Sequence, residues 1–114
     1  MNQELQALHE QLLSRHQTLY ERLDNISDPI MAQTFLTEMR EILHRISLVQ
    51  GLLLSRTSAE LQASVEKVDA ADARLTKALQ EAQTAADVVN GIGKFLTVVD
   101  KAIDLAKTLG AALV

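Results

Sequence analysis

The chain has 114 residues, 47% of them hydrophobic and 23% charged, with a net charge of −4 and, as aromatics, two Phe, one Tyr and no Trp. That length and balance bound it to a single domain, 1–114, with an aliphatic core, and Lys and Arg scattered among acids exclude a nucleic-acid footprint. The absence of Cys excludes disulfides and thiolate metal sites.

Helical spacing is evident from the start. Leu5, Leu8, Leu12, Leu19, Leu23 and Ile26 form one stripe, which predicts a first helix over 2–26. Glu4, His9 and Glu10 interrupt this segment, so it reads as a cytoplasmic start and not as a signal peptide. Ser27 or Asp28 can accept free backbone N–H groups and Pro29 suits a first turn, which predicts a second helix over 29–55. Along it Phe35, Met39, Ile42, Ile46, Val49 and Leu53 take the alternating four- and three-residue steps of a coiled-coil seam, with Gly51 a local weak point.

Thr57 and Glu60 have the spacing of a capping box and start a third helix near Ser58. Its stripe of Leu61, Val65, Val68, Asp72, Leu75 and Leu79 continues through Ala82, Ala86 and Val89, giving an expected span of 58–90. Asn90, Gly91 and Gly93 then read as a hinge or turn, because Asn and Gly most readily adopt the left-handed conformation that closes a helix. The same rhythm resumes afterwards and predicts a fourth helix over 92–113.

The two glycines do not make a phosphate loop, since they follow a helix and Phe95 stands where a P-loop needs a hydroxyl. The stretch GIGKFL, residues 91–96, resembles the opening of magainin-type antimicrobial peptides, which implies an amphipathic helix lying on a bilayer. Ile92, Phe95, Leu96, Val99, Ile103 and Leu109 would supply its membrane or partner face. The chain departs from that family where Asp100 and Asp104 offset Lys94, Lys101 and Lys107, removing the cationic face that anionic lipid attracts. A bundle helix touching two neighbours needs the same wide apolar face. Charges also punctuate every apolar window of about eighteen residues, so no spanning helix is expected.

Glu41 and His44 have the Glu-x-x-His form of di-iron bundles, yet they fall off the buried stripe of their helix, so no metal site is assigned. His9 and His16 rise about 10 Å apart, too far to share an ion. His16 and Asp72 each replace an apolar seam residue, and in parallel first and third helices they would share a layer. They are expected to pair, or to reach Arg40, and so to set register. Arg15 and Arg22 flank the first stripe as solvated charges.

These patterns predict an all-α chain, either an up-down-up-down four-helix bundle or long helical hairpins with coiled-coil-like packing. No arrangement of Ser, His and Asp has positional support for catalysis, and no cofactor, metal or small-molecule substrate is expected. The expected function is a non-enzymatic assembly subunit, adaptor or chaperone-like, that self-associates or binds a protein partner through apolar stripes such as Leu36, Leu43, Leu52 and Leu54. The alternative is a membrane-associated, pore-forming or toxin-like protein using helix 92–113 from a cytoplasmic or peripheral location.

Overall fold

Asn2 begins the first helix by accepting the Leu5 N–H on its side-chain oxygen at 3.1 Å, satisfying one donor that a helix start leaves free. The computed structural model describes residues 2–110, and in it every helix opens on such a cap. Helix α1 spans Gln3–Leu23; α2, Pro29–Gln50, follows Asp28 with Pro29 in its first turn; α3, Ala59–Glu81, follows Ser58; and α4, Ala85–Leu109, follows Thr84. The protein is an all-α four-helix bundle, 51 × 20 × 17 Å along its principal axes.

Several boundaries differ from expectation. Ile26 lies beyond the end of α1, and Gly51 caps α2, leaving Leu53 in the connection that follows, partly buried against the core. The cap of α3 is Ser58, one residue past the expected Thr57, with its hydroxyl accepting the Leu61 N–H at 3.0 Å. The largest correction concerns the turn at Asn90, Gly91 and Gly93: all three lie inside α4, and the break falls at 82–84. There Thr84 and Asp87 form a capping box, each side chain accepting the other's backbone N–H at 3.2 Å. The expected reach of the fourth helix to 113 falls outside the described residues.

Gly91 serves a close approach between helices. A Cβ at this position would sit 3.3 Å from the Ala78 Cβ and 3.6 Å from Leu75 Cδ1, so α3 and α4 pack here on small side chains. At Gly93 a Cβ would meet nothing within 4 Å, and neither glycine has the positive φ that a left-handed cap requires.

Helix directions alternate, but the order around the bundle is not that of the simple up-and-down form. α1 packs on α2 and α3, and α4 packs on α3 and α2, so α1 faces α4 and α2 faces α3 across the diagonals. The molecule is two antiparallel hairpins laid side by side, with α1 parallel to α3 and α2 parallel to α4. The connection 51–58 must cross the end of the bundle diagonally, which at interaxial distances of 8–10 Å is roughly 13 Å, well within its length.

That crossing is tied on both sides. The Asn2 N–H donates to the Leu53 carbonyl at 2.8 Å, and its side-chain amide donates to the carbonyls of Ser55 and Arg56 at 3.0 and 3.1 Å. From the other hairpin, the Gly110 carbonyl accepts the Arg56 N–H at 2.8 Å. Between the helices runs one aliphatic core, including Leu5, Leu8, Leu12, Ile42, Val68 and Val99.

Gly93→Ala is expected to stabilise the protein by about 1 kcal/mol through helix propensity, whereas Gly91→Leu is expected to cost about 1–3 kcal/mol by overpacking α3 against α4. Urea denaturation of both variants checks this, and a destabilised Gly93→Ala would restore the turn. Acidity supplies a second test. The backbone N–H groups of Gln83 and Thr84 hold the Asp87 carboxyl below its usual range, so its contribution is present above the unfolded-state value and lost as pH falls through the lower folded-state value. The urea midpoint of the wild type should therefore fall with acidification more steeply than that of Asp87→Ala.

Candidate functional site

The seam residues assigned from sequence close on one another within the chain. Phe35, Met39, Ile42, Ile46 and Val49 on α2 and Leu61, Val65, Val68, Leu75 and Leu79 on α3 are all buried in the common core. The face assigned to membrane or partner is buried too. Ile92, Phe95, Leu96, Val99 and Ile103 lie in that core and Leu109 packs half-buried at its edge, because α4 turns this face onto both α3 and α2. Lipid contact through these residues would require α4 to leave the bundle. Among the described residues no helix is long and apolar enough to cross a membrane.

The polar seam pair is corrected in its first member. Asp72 does bind α1, but its partner is Arg15, whose Nε donates to Oδ1 at 2.8 Å. Arg15 Nη2 also donates to the Asp72 carbonyl at 3.1 Å and to the Thr76 hydroxyl at 2.6 Å. The stripe of α1 turns through residue 15 between Leu12 and Leu19, which buries Arg15 to 6% exposure and leaves His16 half-buried on the side facing α2. A long planar guanidinium can satisfy a carboxylate, a carbonyl and a hydroxyl together; an imidazole cannot.

Arg22, two turns further along, donates to the Leu79 carbonyl at 2.7 Å and lies 5.9 Å from the Phe35 ring centroid. Leu79 is among the last residues of α3, so this contact caps carbonyls that the helix end leaves free. An equivalent tie joins the other two parallel helices. Arg45 of α2 makes a two-pronged contact with Asp100 of α4, Nε to Oδ1 at 3.0 Å and Nη2 to Oδ2 at 3.1 Å, while Nη1 donates to Glu41 Oε2 at 2.6 Å. Asp100 and, after it, Glu41 push the Arg45 pKa further up, against the opposing effect of burial. Burial, with the Glu41 charge second, raises the nearby Glu38 carboxyl.

Glu41 is thus held by Arg45 and His44 is exposed; among the described residues no cluster of three or more His, Asp or Glu could hold a metal ion. Arg40, the other expected partner, is exposed, and the Asp72 carboxylate is held by Arg15 instead.

The outer surface of the first hairpin is different in kind. Leu13 and Tyr20 on α1 and Leu36 and Leu43 on α2 are exposed by 44, 54, 38 and 51%. Arg15 and Arg22 point α1 toward α3, so Leu13 and Tyr20, roughly 160° away around the helix, lie on the flank bordering α2. By the same reasoning Arg45 faces α4 and places Leu36 and Leu43 on the flank bordering α1. The Asn2–Leu53 contact sets the register of the hairpin, and in it Leu13 stands level with Leu43 and Tyr20 with Leu36. Each helix therefore offers two exposed apolar residues a heptad apart, on flanks that border one another. Leu54 is exposed at the crossover, and Leu52 is half-buried against the core. Sequence reading finds Leu36 and Leu43 but misses Leu13 and Tyr20, although their spacing of seven was a readable signal.

No family model, no curated protein and no solved structure matches the chain. Its class rests on the fold: a four-helix bundle of two hairpins tied side by side by Arg–Asp contacts.

Removing Arg15 leaves the Asp72 carboxylate and the Thr76 hydroxyl without their donor, so Arg15→Met is expected to cost about 1–3 kcal/mol. His16→Leu should fall within roughly 0.5 kcal/mol of wild type. Denaturant titration of both variants distinguishes the two partners, and the reverse ranking would reinstate His16 as the seam residue.

Proposed function

We propose that the protein is a non-enzymatic assembly subunit that self-associates through the outer face of the α1–α2 hairpin. The observation that carries this reading is the group Leu13, Tyr20, Leu36 and Leu43, exposed at heptad spacing on facing flanks of two helices. Large apolar side chains gathered on one surface mark interaction sites, and heptad spacing suits them to another helical pair.

A twofold partner laid on this face sets α1 of one copy over α2 of the other. Glu10 and Glu21 border the apolar residues on α1, while Arg40 and His44 border them on α2. The rotation therefore brings an acidic margin onto a basic one at both edges, which is the self-complementarity an isologous interface needs. Covering each half-exposed side chain contributes on the order of 1 kcal/mol, and eight of them exceed an association cost of at least about 4 kcal/mol by a modest margin. Reversible association in the millimolar range is expected.

Sedimentation equilibrium of the full chain over a wide concentration range tests this. Wild-type protein is expected to show a dimer that Leu43→Glu or Tyr20→Glu abolishes while leaving helicity intact. A chain that stays monomeric at millimolar concentration, or a dimer indifferent to both substitutions, would sink the reading.

A further inference from the structure

The outer face of the second hairpin, on the opposite side of the bundle, is a groove. Two adjoining cavities of 470 and 520 Å³ run along it and meet at Arg74 and Val98. Its floor is low because the residues that build it are small or half-buried: Ala71, Ala78, Gly91, Val98 and Leu105. The close packing of Gly91 against Ala78 draws the helices together there and leaves no bulky ridge above the seam.

Cations border this apolar floor on both sides. Lys67 and Arg74 stand a heptad apart on α3, and Lys94 and Lys101 a heptad apart on α4, all exposed. The register set by Gly91 against Ala78 and Leu75 brings Arg74 level with Lys94 and Lys67 level with Lys101. None of the four joins an ion pair among the described residues, whereas Arg15 and Arg45 are both engaged by aspartates. Four unneutralised cations thus gather in two facing pairs on a chain of net charge −4. Acids close the ends, Glu81 and Asp87 at one and Glu60 at the other.

We propose that this groove binds an amphipathic helix of a partner protein that carries acidic residues on both sides of a narrow apolar stripe. From Glu60 to Glu81 the groove is about 31 Å long, the length of roughly six helical turns. An apolar floor between two cationic rims matches a helix whose stripe enters the groove and whose flanking carboxylates, a heptad apart, meet the cations. Small floor residues let the incoming backbone approach closely. A bilayer surface is too flat to reach a floor set below its rims, and a phosphate backbone has no use for an apolar floor. The acids at the ends confine the ligand's own acids to its central turns, which gives the groove a preferred register.

The probes are two synthetic helical peptides of about six turns, each with a Leu and Ala stripe, one flanked by Glu and the other by Lys in its central heptads. Fluorescence anisotropy with the full chain is expected to show binding of the Glu peptide, weakened by salt, and none of the Lys peptide. In the variant Arg74→Glu/Lys94→Glu the affinity for the Glu peptide should drop on the order of tenfold or more, as for loss of close charge pairs. The quadruple reversal, with Lys67→Glu and Lys101→Glu added, should bind the Lys peptide instead. All four positions are exposed, and circular dichroism checks that the variants keep their helices. Absence of Glu-peptide binding, equal binding of both peptides, or binding unchanged by the reversals would overturn the proposal. So would flotation with phosphatidylserine vesicles in the absence of peptide binding, which would assign the cations to lipid. Because the α1–α2 face contributes none of these residues, Leu43→Glu should leave peptide binding unchanged, and the two surfaces succeed or fail separately.

Discussion

Register between the two hairpins is the constraint on which the rest of the bundle depends. Within each hairpin a short connection and an apolar seam fix how the helices meet, but side by side the hairpins put parallel helices in contact, α1 with α3 and α2 with α4. Aliphatic rows of Leu, Val and Ala could slide past one another by a turn at little cost. A buried guanidinium cannot, because displacement by one turn would strand Arg15 without Asp72 and Thr76. Arg45 and Asp100 repeat the tie on the other parallel pair, and Asn2 with the Arg56–Gly110 contact closes the end where the chain crosses over. Each outer surface takes its geometry from the register within its own hairpin, and this alignment fixes how the two surfaces lie relative to each other.

The distribution of arginine follows from the same constraint. Arg15, Arg22 and Arg45 all reach from the first hairpin to the second, onto a side-chain carboxylate or a helix-end carbonyl. A guanidinium is suited to such work because its fixed fork binds several acceptors at once and keeps its charge when partly buried. Lysines, more strongly hydrated, remain at the surface of the second hairpin, where water solvates them.

How much of this was legible depended on whether a pattern reported burial or pairing. Apolar periodicity located the helices and nearly all the core, because burying one stripe is what each helix is for: Leu5, Ile42, Val68 and Leu79 all lie where the spacing puts them. The break at 82–84 was hidden because Ala82, Ala85 and Ala86 continue both the helical rhythm and the helical propensity of α3. Its signal, Thr84 three residues before Asp87, is the same capping box sought at Thr57. Gly91 misled because a glycine can equally close a helix or let two helices touch, and only the facing Ala78 decides between them. His16 reads as a replaced seam residue, yet the three-four alternation of Leu5, Leu8, Leu12 and Leu19 runs through Arg15, and only arginine has the reach and donors to serve Asp72. Lys67, Arg74, Lys94 and Lys101 are dispersed in sequence, and no local pattern unites them before the hairpin register is known.

The two outer faces lie on opposite sides of the bundle, and this has a consequence for assembly. A twofold contact through Leu13, Tyr20, Leu36 and Leu43 covers the first hairpin and leaves the second hairpin of each copy turned outward. Such a dimer would present two cationic grooves facing away from each other, unable to close on a single helix but free to hold two. A partner carrying two acidic helices on a linker long enough to reach around the dimer would gain avidity from the second site, and one with a shorter linker would instead bridge neighbouring dimers. Which of these occurred would then depend on the partner's linker, because the Arg–Asp ties hold the outer face of the second hairpin in a fixed relation to that of the first.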